Sequence, residues 1–460
     1  MAETIGSQMF ASSQFTNMIE EMAGTVRSAG QKLEGIRPPA KEHAESYKKM
    51  LGDVAQYRGR PLFYNYIGSG LGNGPYVELE DGSVKLDLIN GIGVHILGHS
   101  HPAVVRGALK GAAADIVMQG NLQPNREYLE MEAKLSDLAS RRSPLTHVWF
   151  ATCGTIANEN ALKMCRQKRN GAPLVVAFSN AFAGRSTMMS ELTDNPAYKV
   201  GQPRYNEILR LPFINHKADA KSKEGALNVL KEYVAKHENN IGCFTFEPMQ
   251  GEGGYRYPSR DFLVPLLEFC KEHGIPVWAD EVQTFCRTGN FFAFETFDIG
   301  KYIDVCTIAK TAQAGATLFT PEMKPDAGLL GGTFSGSSAA LSAGLAGLNE
   351  LDNGSYMGAE GKISKISKAF IAMLRDLEHG SCKGMIDDAD GLGLMVAFTP
   401  FDGSKEKQLA VAKKFFENGL MAFGCGHDPY RIRFLIPAVL EEKHIQVARS
   451  VIEKSLQELA

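Results

Sequence analysis

The chain has 460 residues, 44% of them hydrophobic and 22% charged, which is the make-up of a folded protein of more than one lobe and excludes a disordered or collagen-like one. A formal charge of −3 excludes the strongly basic balance of a nucleic-acid or anionic-membrane binder. The eight cysteines form no CxxC pair and mostly sit in apolar runs, which argues against disulfides or a structural zinc. The start, MAETIGSQMF, lacks a basic segment followed by an apolar one, and no apolar run is long enough to span a bilayer, so a cytoplasmic enzyme is expected.

Residues 1 to about 60 are polar and predict loosely amphipathic helix, as in FTNMIEEMAGTVRSAGQKL from Phe15. Such an arm can pack on a partner subunit or fold back on its own core. From Tyr64 to Asp87 short strands are expected, with a turn at Asp81-Gly82. GIGVHILGHSHP follows. Its three histidines, His95, His99 and His101, have no clustered acid or cysteine in sequence, so a glycine-rich loop with local hydrogen bonds is preferred to a metal site.

HVWFATCGTIANENALKMCRQKR predicts a strand to Thr152, then Cys153-Gly154-Thr155 leading into a helix with apolar positions Ile156, Ala157, Ala161, Met164 and Cys165. The free N–H groups of a helix N-terminus bind anions, and a glycine lets the backbone approach a phosphate closely. The same pattern also occurs as an ordinary helix cap. PLVVAFSNAFAGRS is a buried strand and a turn carrying Phe182 and Arg185. Phe182 suits a core position, whereas Arg185 just past a strand end makes sense against a carboxylate. IGCFTFEPMQGEGG repeats the plan and ends on Glu247, Gln250 and Glu252 among glycines. A helix, DFLVPLLEFCKEHG, stops at Gly274.

IPVWADEV then reads as a strand buried on both faces that ends on Asp280 and Glu281, and DVCTIAK as another that ends on Lys310. Open α/β sheets bind ligands beyond the carboxyl ends of their strands. A buried lysine can form a Schiff base, and a buried acid can keep a heteroaromatic nitrogen protonated. Together these describe a pyridoxal phosphate (PLP) site. Either residue alone would read as structural, an acid capping a helix or a solvated lysine. The strand and helix alternation from about 147 to 310 predicts a mostly parallel sheet. Beyond it come a Gly/Ser/Thr loop and a small-residue helix (327–351), a glycine-rich boundary near 352–361, the strand-like GLGLMVAFTP and finally RIRFLIPAVL.

GIGVHILGHSHPAV, CGTIANENALK, FAGRS, FEPMQGEGG and WADEVQTFCRTG, in this order between about Gly70 and Pro437, resemble the class III aminotransferases. These are fold type I PLP enzymes that include the acetylornithine, ornithine and 4-aminobutyrate aminotransferases. The resemblance implies an α/β fold, a mostly parallel sheet flanked by helices, with a smaller α+β domain. It implies a helical arm at 1–60, small-domain segments at 61–100 and 351–460, and a large cofactor-binding domain at 101–350. Lys310 resembles the lysine that carries PLP and shuttles the proton, and Asp280 the partner of the ring nitrogen. Gln283 matches the residue beside the ring hydroxyl, Phe182 the stacking aromatic, and Gly154 and Thr155 the phosphate loop. Thr333 matches a threonine that reaches the phosphate from the neighbouring subunit, which implies a homodimer.

For substrates, Arg185 resembles the arginine that holds the amino donor's carboxylate, and Arg433 the one that grips 2-oxoglutarate. Glu252 resembles the glutamate that pairs with this second arginine when no carboxylate is bound there. A displaceable partner is useful because leaving a buried arginine unpaired costs about 3–5 kcal/mol. Ile92 falls where some ornithine-using relatives carry tyrosine, which disfavours ornithine. The implied reaction is ping-pong transamination from an ω-amino acid or diamine-type donor to 2-oxoglutarate, with no nucleic-acid or membrane partner.

The chain departs from the family pattern in TAQAGATLF after Lys310, and at Ala183, Ile156 and Ile436, where histidine, glutamate and proline are usual. The segment after Lys310 leaves a PLP-dependent aminomutase or racemase as the alternative. A silent relative is opposed by the retained Asp280 and Lys310, and an NAD dehydrogenase by the lack of a GxGxxG after a strand.

Overall fold

The computed structural model describes residues 4–115 and 118–460. The chain divides into two compact units, Ala114–Ser364 and Met1–Ala113 with Lys365–Ala460.

The first unit is built on a seven-stranded sheet: β1 (His147–Ala151), β2 (Leu174–Phe178), β3 (Ile208–Leu211), β4 (Ile241–Phe246), β5 (Val277–Asp280), β6 (Val305–Ile308) and β7 (Gly315–Phe319), in the order β1-β7-β6-β5-β4-β2-β3. Only β7 runs antiparallel to its neighbours, so the other strands end along one edge. The expected mostly parallel sheet is therefore present. Every residue of β4, β5, β6 and β7 is buried, which explains why these strands read as continuous apolar runs instead of alternating ones.

Helix α1 (Gly154–Lys168) leaves the end of β1 and returns over the sheet. Its Ala161, Met164 and Cys165 share one core with Val175, Cys243, Trp278 and Val305. Fully burying each aliphatic side chain of this kind contributes about 1.5–3 kcal/mol. Ile156, expected on the packed face, is instead 39% exposed, because it stands in the first turn of α1 at the edge of the sheet. Helix α2 (Arg260–Glu272) ends before Gly274, whose φ of 62° suits a glycine, and leads into β5. The Trp278 indole donates to Thr307 Oγ1 at 3.0 Å, tying β5 to β6 beside their ends. Helix α3 (Ser338–Asn353) follows the Gly/Ser/Thr loop.

The second unit begins with helices Ile5–Ala11, Ser13–Gly30 and Ala44–Arg58. The arm folds back on its own unit. Arg106 Nε pairs with Glu20 at 2.7 Å, and a Cβ on Gly30 would lie 2.8 Å from the Gly72 carbonyl. Strands Tyr76–Leu79 and Val84–Asp87 flank the Asp81-Gly82 turn, where Asp81 Oδ1 accepts from Ser83 N–H at 2.9 Å. GLGLMVAFTP, read as one strand, is part of a hairpin. Ile386–Leu392 and Met395–Pro400 pair across a turn at Gly393, whose φ of 61° reverses the chain. Among the described residues no helix is long and apolar enough to cross a membrane.

Gly315 begins β7 where a Cβ would lie 2.4 Å from the Cys153 carbonyl oxygen, a backbone atom that cannot swing aside. Gly315→Ala should cost about 1–3 kcal/mol by overpacking. Differential scanning calorimetry should show it as a lowered unfolding temperature.

Candidate active site

Several of the strand ends on the common edge deliver a group to it. β5 ends on Asp280, whose Oδ1 accepts from Val282 N–H at 3.0 Å and whose Oδ2 accepts from Asn158 Nδ2 at 2.7 Å. The same Asn158 amide donates to the Ala183 carbonyl at 2.8 Å, so one side chain of α1 ties Asp280 to the loop after β2. Burial pushes the Asp280 carboxyl up to about 6. The Val282 N–H, the Asn158 amide and the charge of Lys310 draw it back down. That pull places Lys310 within electrostatic reach of Asp280. Lys310 follows β6, half-buried, with a φ of 55° that an L-residue rarely adopts. Such backbone strain costs about 1–3 kcal/mol and collects at functional sites.

The loop after β1 brings the N-terminus of α1 to the same edge, and no side chain caps that helix. A Cβ on Gly154 would lie 2.7 Å from Val282 Cγ1 and 3.3 Å from Ala309 Cβ, so glycine lets the helix start close against the turns carrying Asp280 and Lys310. Thr155 is half-buried beside it. Gly184, with a φ of 130°, comes so near that a Cβ there would meet Thr155 Oγ1 at 2.5 Å.

Glu247 ends β4 beside Asp280, one residue beyond the paired Phe246 and Ala279. It accepts from Phe182 N–H and from Gly251 N–H, each at 2.9 Å. Burial, and then the neighbouring Asp280 charge, push its carboxyl up to about 8. Gln250 Nε2 adds a bond to the Ser179 carbonyl at 2.6 Å, so the loops carrying Phe182 and Glu252 are clamped together. Glu281 points away from this row and organises the next turn, accepting from Ala293 N–H at 2.7 Å and Phe294 N–H at 2.9 Å.

The remaining residues singled out in the sequence are placed as follows. Gln283 is buried, and its Oε1 has no hydrogen-bond partner among the described residues, as is also true of Asn158 Oδ1. Phe182 is half-buried and meets the Tyr198 ring edge-on, with centroids 6.1 Å apart. Arg185 is exposed, its guanidinium 4.1 Å from the centre of the Tyr198 ring. Glu252 is half-buried in its glycine-rich loop, and Thr333 is exposed.

The other unit holds Ile92 and Arg433. Arg433 is buried on strand Arg431–Leu435 opposite Ala397 and Phe423. Ile92 is 43% exposed and sits in a left-handed turn with φ values of 59°, 63°, 59° and 84° from Asn90 to Gly93. The histidines nearby do have an acid: His99 Nε2 lies 2.9 Å from Asp87 Oδ2, and Asp87 Oδ1 also accepts from Ile89 and Asn90 N–H. Among the described residues no group of side chains could hold a metal.

Sequence reasoning gave Asn158, Glu247 and Tyr198 no role. The signal for Glu247 was present, because an acid closing a fully apolar run is the same pattern as Asp280. Asn158 was detectable only as a polar residue on the buried face of α1, and Tyr198 carried no signal at all.

The family model described as aminotransferase class-III matches residues 66–456. A Bacillus subtilis protein named probable 4-aminobutyrate aminotransferase is 32% identical over 405 residues, covering 82% of this chain and 90% of its own. An acetylornithine aminotransferase of Methanocaldococcus jannaschii is 30% identical, covering 84% of this chain and 93% of its own. Among solved structures, the lysine aminotransferase of M. tuberculosis superposes with a TM-score of 0.80 at 20% identity, over 89% of this chain and all of its own, a likeness of fold.

A carboxyl raised by burial stabilises the fold fully at low pH and loses that contribution as pH rises through its folded value. For Asp280 the loss runs from its ordinary 3.8 to about 6, and its repulsion of Glu247 carries the effect on to about 8. Without cofactor, Asp280→Asn should therefore gain on wild type in urea midpoint from roughly pH 4 to pH 8. A pH-independent difference would mean that the carboxyl is solvated.

Proposed function

The chain belongs to the class-III aminotransferases, PLP-dependent transaminases, and from that premise we propose that it moves an amino group from an ω-amino acid donor, of the 4-aminobutyrate or acetylornithine kind, to 2-oxoglutarate in two alternating half-reactions. The observation that carries the site reading is a carboxylate withdrawn from water and a strained lysine at the ends of adjacent parallel strands, on the edge where an uncapped helix begins.

The residues present fit the cofactor. Gln283 Oε1 and Asn158 Oδ1 are buried polar atoms lacking protein partners, as expected beside a polar ligand. The N-terminus of α1 offers Gly154 and Thr155 to a phosphate. PLP, when bound, supplies the electron sink that stabilises negative charge on the donor carbon.

The protein's own part follows from its charges. Asp280 holds the ring nitrogen protonated, and the cation opposite it lowers the cost of its own burial. Lys310 anchors the cofactor, and its Nζ then moves the proton from the donor carbon. Phe182 and Gln283 would help to hold the bound cofactor, the first as its apolar aromatic neighbour and the second as a polar partner. By their motifs, Arg185 is assigned to the donor carboxylate and Arg433 to that of the acceptor, and Glu252 is read as the glutamate that exchanges with the acceptor. Exposed Thr333 reaches the phosphate of a second copy, so the enzyme works as a homodimer. Isoleucine at 92, where some ornithine-using relatives carry tyrosine, argues against ornithine as donor. A location in the cytoplasm agrees with this chemistry.

Incubating the purified enzyme with 2-oxoglutarate and a panel of 4-aminobutyrate, N-acetylornithine, lysine, ornithine and putrescine should give glutamate, with the ω-amino acids ahead of ornithine. Lys310→Ala should lower conversion of the cofactor to its amine form by at least ~10²-fold, the loss expected on removing a positioned acid–base group. Undiminished conversion in that variant would refute the assignment of Lys310.

A further inference from the structure

Arg185 is held in an unusual way for a surface cation. Among the described residues its side chain has no ion pair or hydrogen bond, and its one partner is the face of Tyr198, 4.1 Å from the guanidinium carbon. A guanidinium stacked on an aromatic face is fixed in direction, yet its N–H groups all lie at the rim and stay available to a planar carboxylate. A carboxylate partner would occupy those same donors and compete with the ligand.

The ring itself is fixed from both sides. Tyr198 closes the short helical turn Pro196–Tyr198, started by Asn195, whose side chain accepts from Ala197 N–H at 3.0 Å. The next residue, Lys199, is buried, and its Nζ donates to the Glu191 carbonyl at 3.1 Å. Just upstream, the chain is stitched to the loop carrying Phe182. Asp194 accepts from Asn180 N–H at 2.9 Å and donates its own N–H to the Ala181 carbonyl at 2.8 Å. Thr193 Oγ1 accepts from Ala183 N–H at 2.9 Å and donates to the Gly184 carbonyl at 3.1 Å. Tyr198 also meets Phe182 edge to face, at an interplanar angle of 84°. One ring thus sets the placement of Arg185 relative to Phe182.

We propose that Tyr198 is a positioning residue that determines donor specificity: by seating Arg185 at a fixed reach from Phe182, it selects carboxylate-bearing amines by chain length. This rests on the reading of Arg185 as the donor carboxylate anchor. In this proposal Tyr198 takes no part in the chemistry and acts through the side chains it holds, Arg185 over its face and Phe182 at its edge. If Phe182 marks the amine end of the donor and Arg185 its carboxylate end, a fixed separation favours one spacing between the two groups. A guanidinium released from its seat would follow donors of several lengths with less affinity for each.

The test uses the cofactor-loaded enzyme and the donors 4-aminobutyrate, 5-aminovalerate and 6-aminohexanoate, together with calorimetric binding of pentanoate, a carboxylate without an amine. In Tyr198→Leu, KM for the preferred donor and Kd for pentanoate should both rise about tenfold, kcat should stay within about twofold, and the ratio of kcat/KM across the three donors should flatten. Tyr198→Phe, which keeps the face, should restore most of the loss, and Tyr198→Met replaces the leucine variant should that one fail to fold.

Arg185→Ala separates the two ideas. If it leaves KM and pentanoate binding unchanged, the anchor reading falls and takes this one with it. If it weakens both while Tyr198→Leu keeps the wild-type chain-length preference, or lowers kcat equally for every donor, only the role of Tyr198 is overturned.

Discussion

A carboxylate removed from water must be compensated by donors and opposite charge, and Asp280 sets that requirement for the whole strand-end edge. Breaking a buried ion pair typically costs about 3–5 kcal/mol, and each hydrogen bond to a charged group returns about 1.5–3 kcal/mol. Compensation here comes from three places in the chain. The turn after β5 supplies an N–H, α1 supplies the Asn158 amide, and the segment after β6 supplies the Lys310 charge. They converge only because β6 lies beside β5 while α1 returns across the sheet. Even so, burial outweighs these contributions and the carboxyl stays raised to about 6. A protonated heteroaromatic ring is the kind of group that would compensate it further, in keeping with the role proposed for Asp280.

The groups are also graded by depth. Asp280 and Glu247 are buried, Lys310, Phe182 and Thr155 are half-buried, and Arg185 and Thr333 are exposed. Groups that tune the electronics of a cofactor work best in low dielectric, where a charge acts strongly. A group that must capture and release a charged substrate works better near water, where the desolvation cost is small. The Tyr198 seat gives Arg185 orientation without burial and without a competing anion. Glu247 and Gln250 join neighbouring loops, tying the loop of Phe182 to that of Glu252.

Much of the edge was readable in advance because a strand buried on both faces leaves a strong local trace, a continuous apolar run that stops at a polar residue. Asp280, Lys310 and the start of α1 were found in this way, and the ordered motifs around them identified the family. Local traces failed where one run contained a turn, as at Gly393, and where an apolar residue stood at the sheet edge, as Ile156 does.

The sequence alone therefore determined the alternation of strands and helices, the residue types at the strand ends and the class of chemistry those types allow, since each is written within a few neighbouring residues. Only the tertiary structure decided which ends stand side by side. The order β1-β7-β6-β5-β4-β2-β3 is not the chain order, and the bond from Asn158 to Asp280 joins residues 122 positions apart. The double clamp of Glu247, the Asp87–His99 pair and the seat of Arg185 on Tyr198 belong to the same class. Periodicity records which face of an element is buried, whereas the partner on that face depends on packing between distant segments, to which no local pattern is tied.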